Sequence, residues 1–108
     1  MIDWDRLHNL RTDIGEDDFC DVACVFVAEI RETLDRLIAG PGCALATDFH
    51  FLRGSAANMG FAAMVDACLT AEAACHAGKT PDIGAIAGCF GASLATVAAV
   101  IPGLSHAA

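Results

Sequence analysis

The stretch His50-Phe51-Leu52-Arg53-Gly54-Ser55-Ala56-Ala57-Asn58-Met59-Gly60 decides the fold. Extended back to Leu45, its apolar residues fall at Leu45, Phe49, Leu52, Ala56 and Met59, alternating steps of four and three. That period predicts a helix with a one-sided buried seam. At about 100° per residue, His50 lies roughly 140° from the centre of the seam. Its imidazole is therefore expected in solvent near mid-helix. Arg53 and Gly54, one turn further on, share its face. A glycine inside a helix costs about 1 kcal/mol relative to alanine, and nothing in the local pattern offsets that. The expectation is that something comes close to the backbone there.

The same periodicity organises the rest of the chain. Residues 3–13 read as a short amphipathic helix, capped by Asp3, with Trp4, Leu7 and Leu10/Arg11 on successive turns. Gly15 breaks it. A second helix is predicted over 17–39, with an acidic first turn and a seam of Phe19, Ala23, Phe26, Ile30, Leu34 and Leu37. Gly40-Pro41-Gly42 stops it. The His50 helix is expected over 43–59. Gly60 reverses the chain into a fourth helix over 61–77, with Met64, Ala67/Cys68, Ala71 and Cys75 inward. A turn at Gly78-Lys79-Thr80-Pro81-Asp82 leads to a last helix over 82–101, carrying Ile83, Ile86, Phe90, Leu94, Val97 and Ile101. Short connections make neighbours antiparallel. The expected fold is all-α: one domain over residues 1–108, an antiparallel up-down four-helix bundle with a short additional N-terminal helix.

Composition excludes several function classes. The chain has 108 residues, is 56% hydrophobic and only 6% aromatic, which suits closely packed helices better than sheets. A net charge of −8 argues against nucleic acid and against an anionic membrane surface, both of which need a basic footprint. The opening residues lack the layout of a signal peptide, and no apolar run reaches the length of a membrane span; a cytoplasmic location is expected. Six cysteines, at 20, 24, 43, 68, 75 and 89, contain no C-x-x-C pair and read as reduced structural thiols. His76 follows Glu72 by four residues, whereas di-metal bundles use Glu-x-x-His twice. No metal and no cofactor is expected on this chain, and there is no nucleotide-binding motif and hence no kinase activity of its own.

The motif His-x-Leu-Arg-Gly-Ser-Ala-Ala-Asn-Met-Gly resembles that of histidine-containing phosphotransfer (HPt) domains, usually written H-x-L-K-G-S-[SA]-x-x-[LM]-G. Cys68, Glu72 and Gly78 continue the likeness, which covers roughly His50 to Lys79. Arg53 stands where lysine is commoner and keeps the charge; Thr70-Ala71 stands where the family often has a leucine. The resemblance implies that His50 accepts a phosphoryl group. It implies as partners response-regulator receiver domains, which supply the aspartate and the magnesium, and a hybrid sensor histidine kinase upstream.

The residues supply matching chemistry. A neutral imidazole nitrogen is a competent nucleophile, and phosphoryl transfer needs mainly positioning and charge neutralisation. Arg53 can neutralise phosphate oxygens through two parallel hydrogen bonds. Because the chain reverses near Gly60, Glu72 comes back level with His50, where it would accept a hydrogen bond from Nδ1 and hold Nε2 outward. Ser55 and Asn58 are weaker polar candidates. Around His50 the small or apolar residues Ala46, Thr47, Gly54, Ala57 and Phe61, with Asn58, make the expected docking face. Two functions fit: a phosphorelay intermediate, or a non-phosphorylated adaptor that binds or sequesters a receiver.

Overall fold

The Asp3 carboxylate accepts the Arg6 backbone N–H at 3.0 Å, so the chain turns helical almost at once, and α1 spans Trp4–Ile14. Gly15, with φ of 96°, lets the chain turn where a side chain would be strained. Helix α2, Glu16–Ala39, follows directly, and Arg11 closes the corner on Glu16 at 2.9 Å. A 3-10 turn at Pro41–Cys43 leads to α3, Ala46–Asn58. Then come α4, Ala62–His76, and α5, Ile83–Ala98, the latter capped by Asp82 through the Ala85 N–H at 2.9 Å. This computed structural model describes residues 1–101 and 103–104, without the Cys43 side chain; Pro102 and His106 lie outside the described residues.

Helix α2 packs on α3, α3 on α4, α4 on α5, and α5 closes back on α2, while α1 lies against α2 and α3. The fold is an all-α helical bundle. Its core is built from the expected aliphatic and alanine positions, among them Ala23, Ile30, Leu37, Leu52, Ala56, Met64, Ile86 and Val97, all fully buried. The α5 seam holds without change, from Ile83 to Ile101. Among the described residues no helix is long and apolar enough to cross a membrane.

Several positions differ from expectation. Leu45 is not in the seam: the 3-10 turn delays the helix, leaving Leu45 extended at its N-cap and 63% exposed. Buried Ser55 lies beside the remaining seam of Phe49, Leu52, Ala56 and Met59. In α2, Val27 rather than Phe26 occupies the buried position one turn after Ala23, and Phe26 sits half-buried at its edge. Trp4 is exposed, and α1 is anchored by buried Leu7 with Leu10 partly buried against the core. Cys75 is only partly buried, and α5 stops at Ala98 instead of 101.

The largest correction concerns Phe61, expected on the exposed docking face. It is fully buried, with its ring centroid 6.3 Å from that of Phe90. The cause lies in the turn. Gly60 adopts φ of 72°, and a Cβ there would collide with the Asp3 carbonyl. That close approach is a bonded one: the Asp3 N–H donates to the Gly60 carbonyl at 2.7 Å, and the Ala62 N–H donates to the Met1 carbonyl at 3.1 Å. Ile2 and Phe61 form an isolated antiparallel bridge. The N-terminal residues thus satisfy one of the backbone donors left open at the start of α4 and fold Phe61 inward.

Candidate functional site

The site sits on the face shared by α3 and α4, and its frame is set at the start of α3. No side chain of Leu45 can cap this helix, so Asp48 reaches back from the first turn and its Oδ2 accepts the Leu45 N–H at 2.9 Å. The other oxygen, Oδ1, accepts from Arg36 of α2 at 2.7 Å. Burial opposes the charged form of Asp48. The hydrogen bonds from Arg36 and Leu45, with the Arg36 charge, outweigh it and hold the carboxyl below its ordinary value of 3.8. One carboxylate therefore pins the end of α3 to α2, two residues before His50.

His50 projects outward as its angle predicts, with its side chain 70% exposed. Arg53, one turn later, donates from Nη2 to His50 Nδ1 at 2.7 Å. Glu72 arrives from α4 at the expected level: its Oε2 lies 3.7 Å from Nδ1 and 3.8 Å from Arg53 Nη2. The three groups make a triangle across two helices, but only the arginine–imidazole side is hydrogen-bonded. Glu72 Oε2 is buried and has no hydrogen-bond partner among the described residues. Leaving a buried acceptor unsatisfied costs about 1–3 kcal/mol. The expected bond from Nδ1 to Glu72 is therefore not made in this arrangement, because Arg53 occupies Nδ1 first.

Arginine has only donors, so Nδ1 must be accepting, and the neutral ring then carries its proton on Nε2. Arg53 was expected to face an incoming phosphate; instead it is turned onto the ring. The signal for that contact is the i, i+3 spacing of His50 and Arg53, which makes them neighbours on any helix. Beneath them lies Cys68 of α4, fully buried. Burial, with Cys89 adding, Arg53 opposing and Glu72 adding, pushes its thiol up to about 12, which keeps it protonated and unreactive.

The remaining candidates divide. Gly54 is exposed, and a Cβ built on it meets nothing within 4 Å. No packing inside the chain therefore demands a glycine. Ala46 and Ala57 are partly exposed and Thr47 is exposed on α3. Asn58 is not free for a partner, since its Oδ1 accepts from Arg6 of α1 at 3.1 Å, and Phe61 is withdrawn into the core. Ser55 is buried too. Two apolar side chains that the sequence pattern did not single out stand near the trio instead. Phe51, 43% exposed, follows His50, and Leu69, 45% exposed, precedes Glu72 by one turn of α4. Phe51 could have been flagged, because Thr47, Asp48, Gly54 and Ser55 give it no large apolar partner at helical spacing; Leu69, with Val65 and Ala73 one turn away on either side, carries no such signal. Among the described residues no group of three His, Cys, Asp or Glu side chains is placed to hold a metal ion.

No curated protein and no solved structure gives a match to this chain. The family model of the Hpt domain, however, matches residues 21–100, a span that contains α3, α4, the whole His50 motif and most of the bundle. The match covers well over half of the 108 residues, and the protein belongs to the Hpt domain family.

Proposed function

We propose that this protein is a phosphorelay intermediate that accepts a phosphoryl group on Nε2 of His50 and passes it to or from the aspartate of a response-regulator receiver domain. Membership of the Hpt family implies histidine phosphotransfer in phosphorelay signalling; the residue roles rest on the site. The observation that carries the reading is an exposed imidazole bonded by a guanidinium of its own helix, with a carboxylate of the next helix within 4 Å. With Nδ1 engaged, Nε2 is the nitrogen left for a partner. The transferred group passes through a transition state that is mainly in need of charge neutralisation and alignment. Arg53 is the cation within reach, and Glu72 is the group that can take up positive charge developing on the ring.

The docking face is proposed around Ala46, Gly54 and Ala57, with Phe51 and Leu69 as its apolar rim. Reacting atoms must approach to about 3–3.5 Å, and open space at Gly54 gives a second protein room to do so. The magnesium used in the transfer is assigned to the receiver, as is the aspartate. A sensor histidine kinase would stand upstream, and a cytoplasmic location follows from such partners. The test is His50→Gln presented with a cognate phosphorylated receiver. Transfer should vanish; label persisting on that variant, at His76 or elsewhere, would overturn the assignment.

A further inference from the structure

Arg53 and Glu72 compete for one atom. Both approach Nδ1 of His50, at 2.7 Å and 3.7 Å, yet they demand opposite protonation of it. Arg53 can only donate, so it requires a lone pair on Nδ1 and a proton on Nε2. A carboxylate can only accept, so Glu72 requires the proton on Nδ1 and leaves the lone pair on Nε2. The ring nitrogens are distinct in this way, and the partner of one fixes the chemistry of the other. Only the second tautomer has a nucleophilic Nε2. In the arrangement seen here Arg53 holds the first, while Glu72 Oε2 is buried close by without a hydrogen bond.

We infer that Arg53 acts as a tautomer latch on His50, masking the Nε2 lone pair until an incoming phosphoryl group draws the guanidinium away and Glu72 takes over Nδ1. The inference rests on His50 being the phosphoacceptor and adds how its reactivity is gated. The steps balance without a further reagent. Phosphoryl oxygens on the donor aspartate attract Arg53, whose guanidinium leaves Nδ1. The ring gives its Nε2 proton to water and takes one from water on Nδ1, which then donates to Glu72. The Nε2 lone pair then forms the N–P bond as the P–O bond to the aspartate breaks, and the carboxylate leaves with that electron pair. The Nδ1 proton stays shared with Glu72, so the charge created on the ring is met by a carboxylate.

The full chain labelled with 15N-histidine reports this directly, because long-range 1H–15N correlation spectra distinguish the two ring nitrogens and their protonation. At a pH where the ring is neutral, the parent protein should carry the proton on Nε2. In Arg53→Met the major form should become Nδ1–H, against the ring's own preference in water for Nε2–H, because Glu72 is left as the sole partner. Adding Glu72→Gln to that variant should restore Nε2–H, and Arg53→Lys, which keeps a donor, should retain the parent tautomer. Helical circular dichroism checks folding, and Arg53→Ala serves if the methionine variant fails to fold. Nε2–H remaining the major form after loss of Arg53 overturns the latch. These spectra need no phosphate: a chain that never accepts a phosphoryl group refutes the functional reading without touching the tautomer result, and the reverse also holds.

Discussion

Two carboxylates flank His50, and they are held in opposite ways. Asp48 has a hydrogen bond on each oxygen, one from the Leu45 backbone and one from Arg36 of the neighbouring helix. Glu72 keeps a buried oxygen within 4 Å of both His50 and Arg53 but bonded to neither. Satisfied polar groups hold a frame; an unsatisfied one close to a reactive atom stores the capacity to rearrange. Asp48 makes the start of α3 rigid, and Glu72 leaves the chemistry on its face free to change partners.

The largest effect should come from the position where neither carboxylate acts. Gly54→Gln adds a side chain into open space and improves helix propensity by up to about 1 kcal/mol, so melting temperature should hold or rise slightly. Phosphotransfer should collapse through weakened receiver binding. Calorimetric melting and transfer kinetics on one preparation separate the two effects, and transfer at the parent rate would place the docking face elsewhere.

Arg53→Ala should come next: loss of a charge-assisted phosphate contact worth roughly 1.5–3 kcal/mol outweighs the unmasking of Nε2, so transfer slows by up to about one to two orders of magnitude. Its melting temperature should hardly move. A large loss of stability at an unchanged rate would put Arg53 in the frame with Asp48.

Asp48→Asn reverses the pattern, with a loss of stability of about 1 kcal/mol and only a small change in transfer rate. Its pH dependence has a definite sign. The carboxyl is held below 3.8 in the folded chain, so its contribution is present above about pH 4 and lost as pH falls through the lowered value. The melting difference between parent and Asp48→Asn should therefore shrink below pH 4. A difference that grows there would contradict the assignment.

The smallest effect belongs to Cys68. With its thiol pushed up to about 12 in the buried layer under the trio, it should resist iodoacetamide at pH 8 in the folded chain and react after unfolding. Rapid alkylation in the native state would mean that the face between α3 and α4 opens.

Most of the helical frame was legible because the apolar residues recur with helical period and glycine or proline marks nearly every break. Part of the candidate site's placement was legible in the same way: the angle of His50, the level of Glu72 and the open flank of Gly54 follow from counting residues along antiparallel helices. What escaped depends on contacts between distant segments. Phe61 points inward because Met1, Ile2 and Asp3 bond to the turn at Gly60 and Ala62, and Asn58 is engaged because α1 brings Arg6 beside it. Spacing within a helix cannot report either. Nor does it show which of two neighbours, Arg53 or Glu72, reaches Nδ1, since that turns on about 1 Å.

The central claim, that His50 is a phosphoryl carrier, is tested most directly by incubating the parent chain with a panel of phosphorylated receiver domains and mapping the product by mass spectrometry. The account predicts a single acid-labile, base-stable phosphoryl group per chain, located on His50 and returned to an unphosphorylated receiver. Stable binding to a receiver with no label on His50 under any donor would contradict it and make the protein an adaptor.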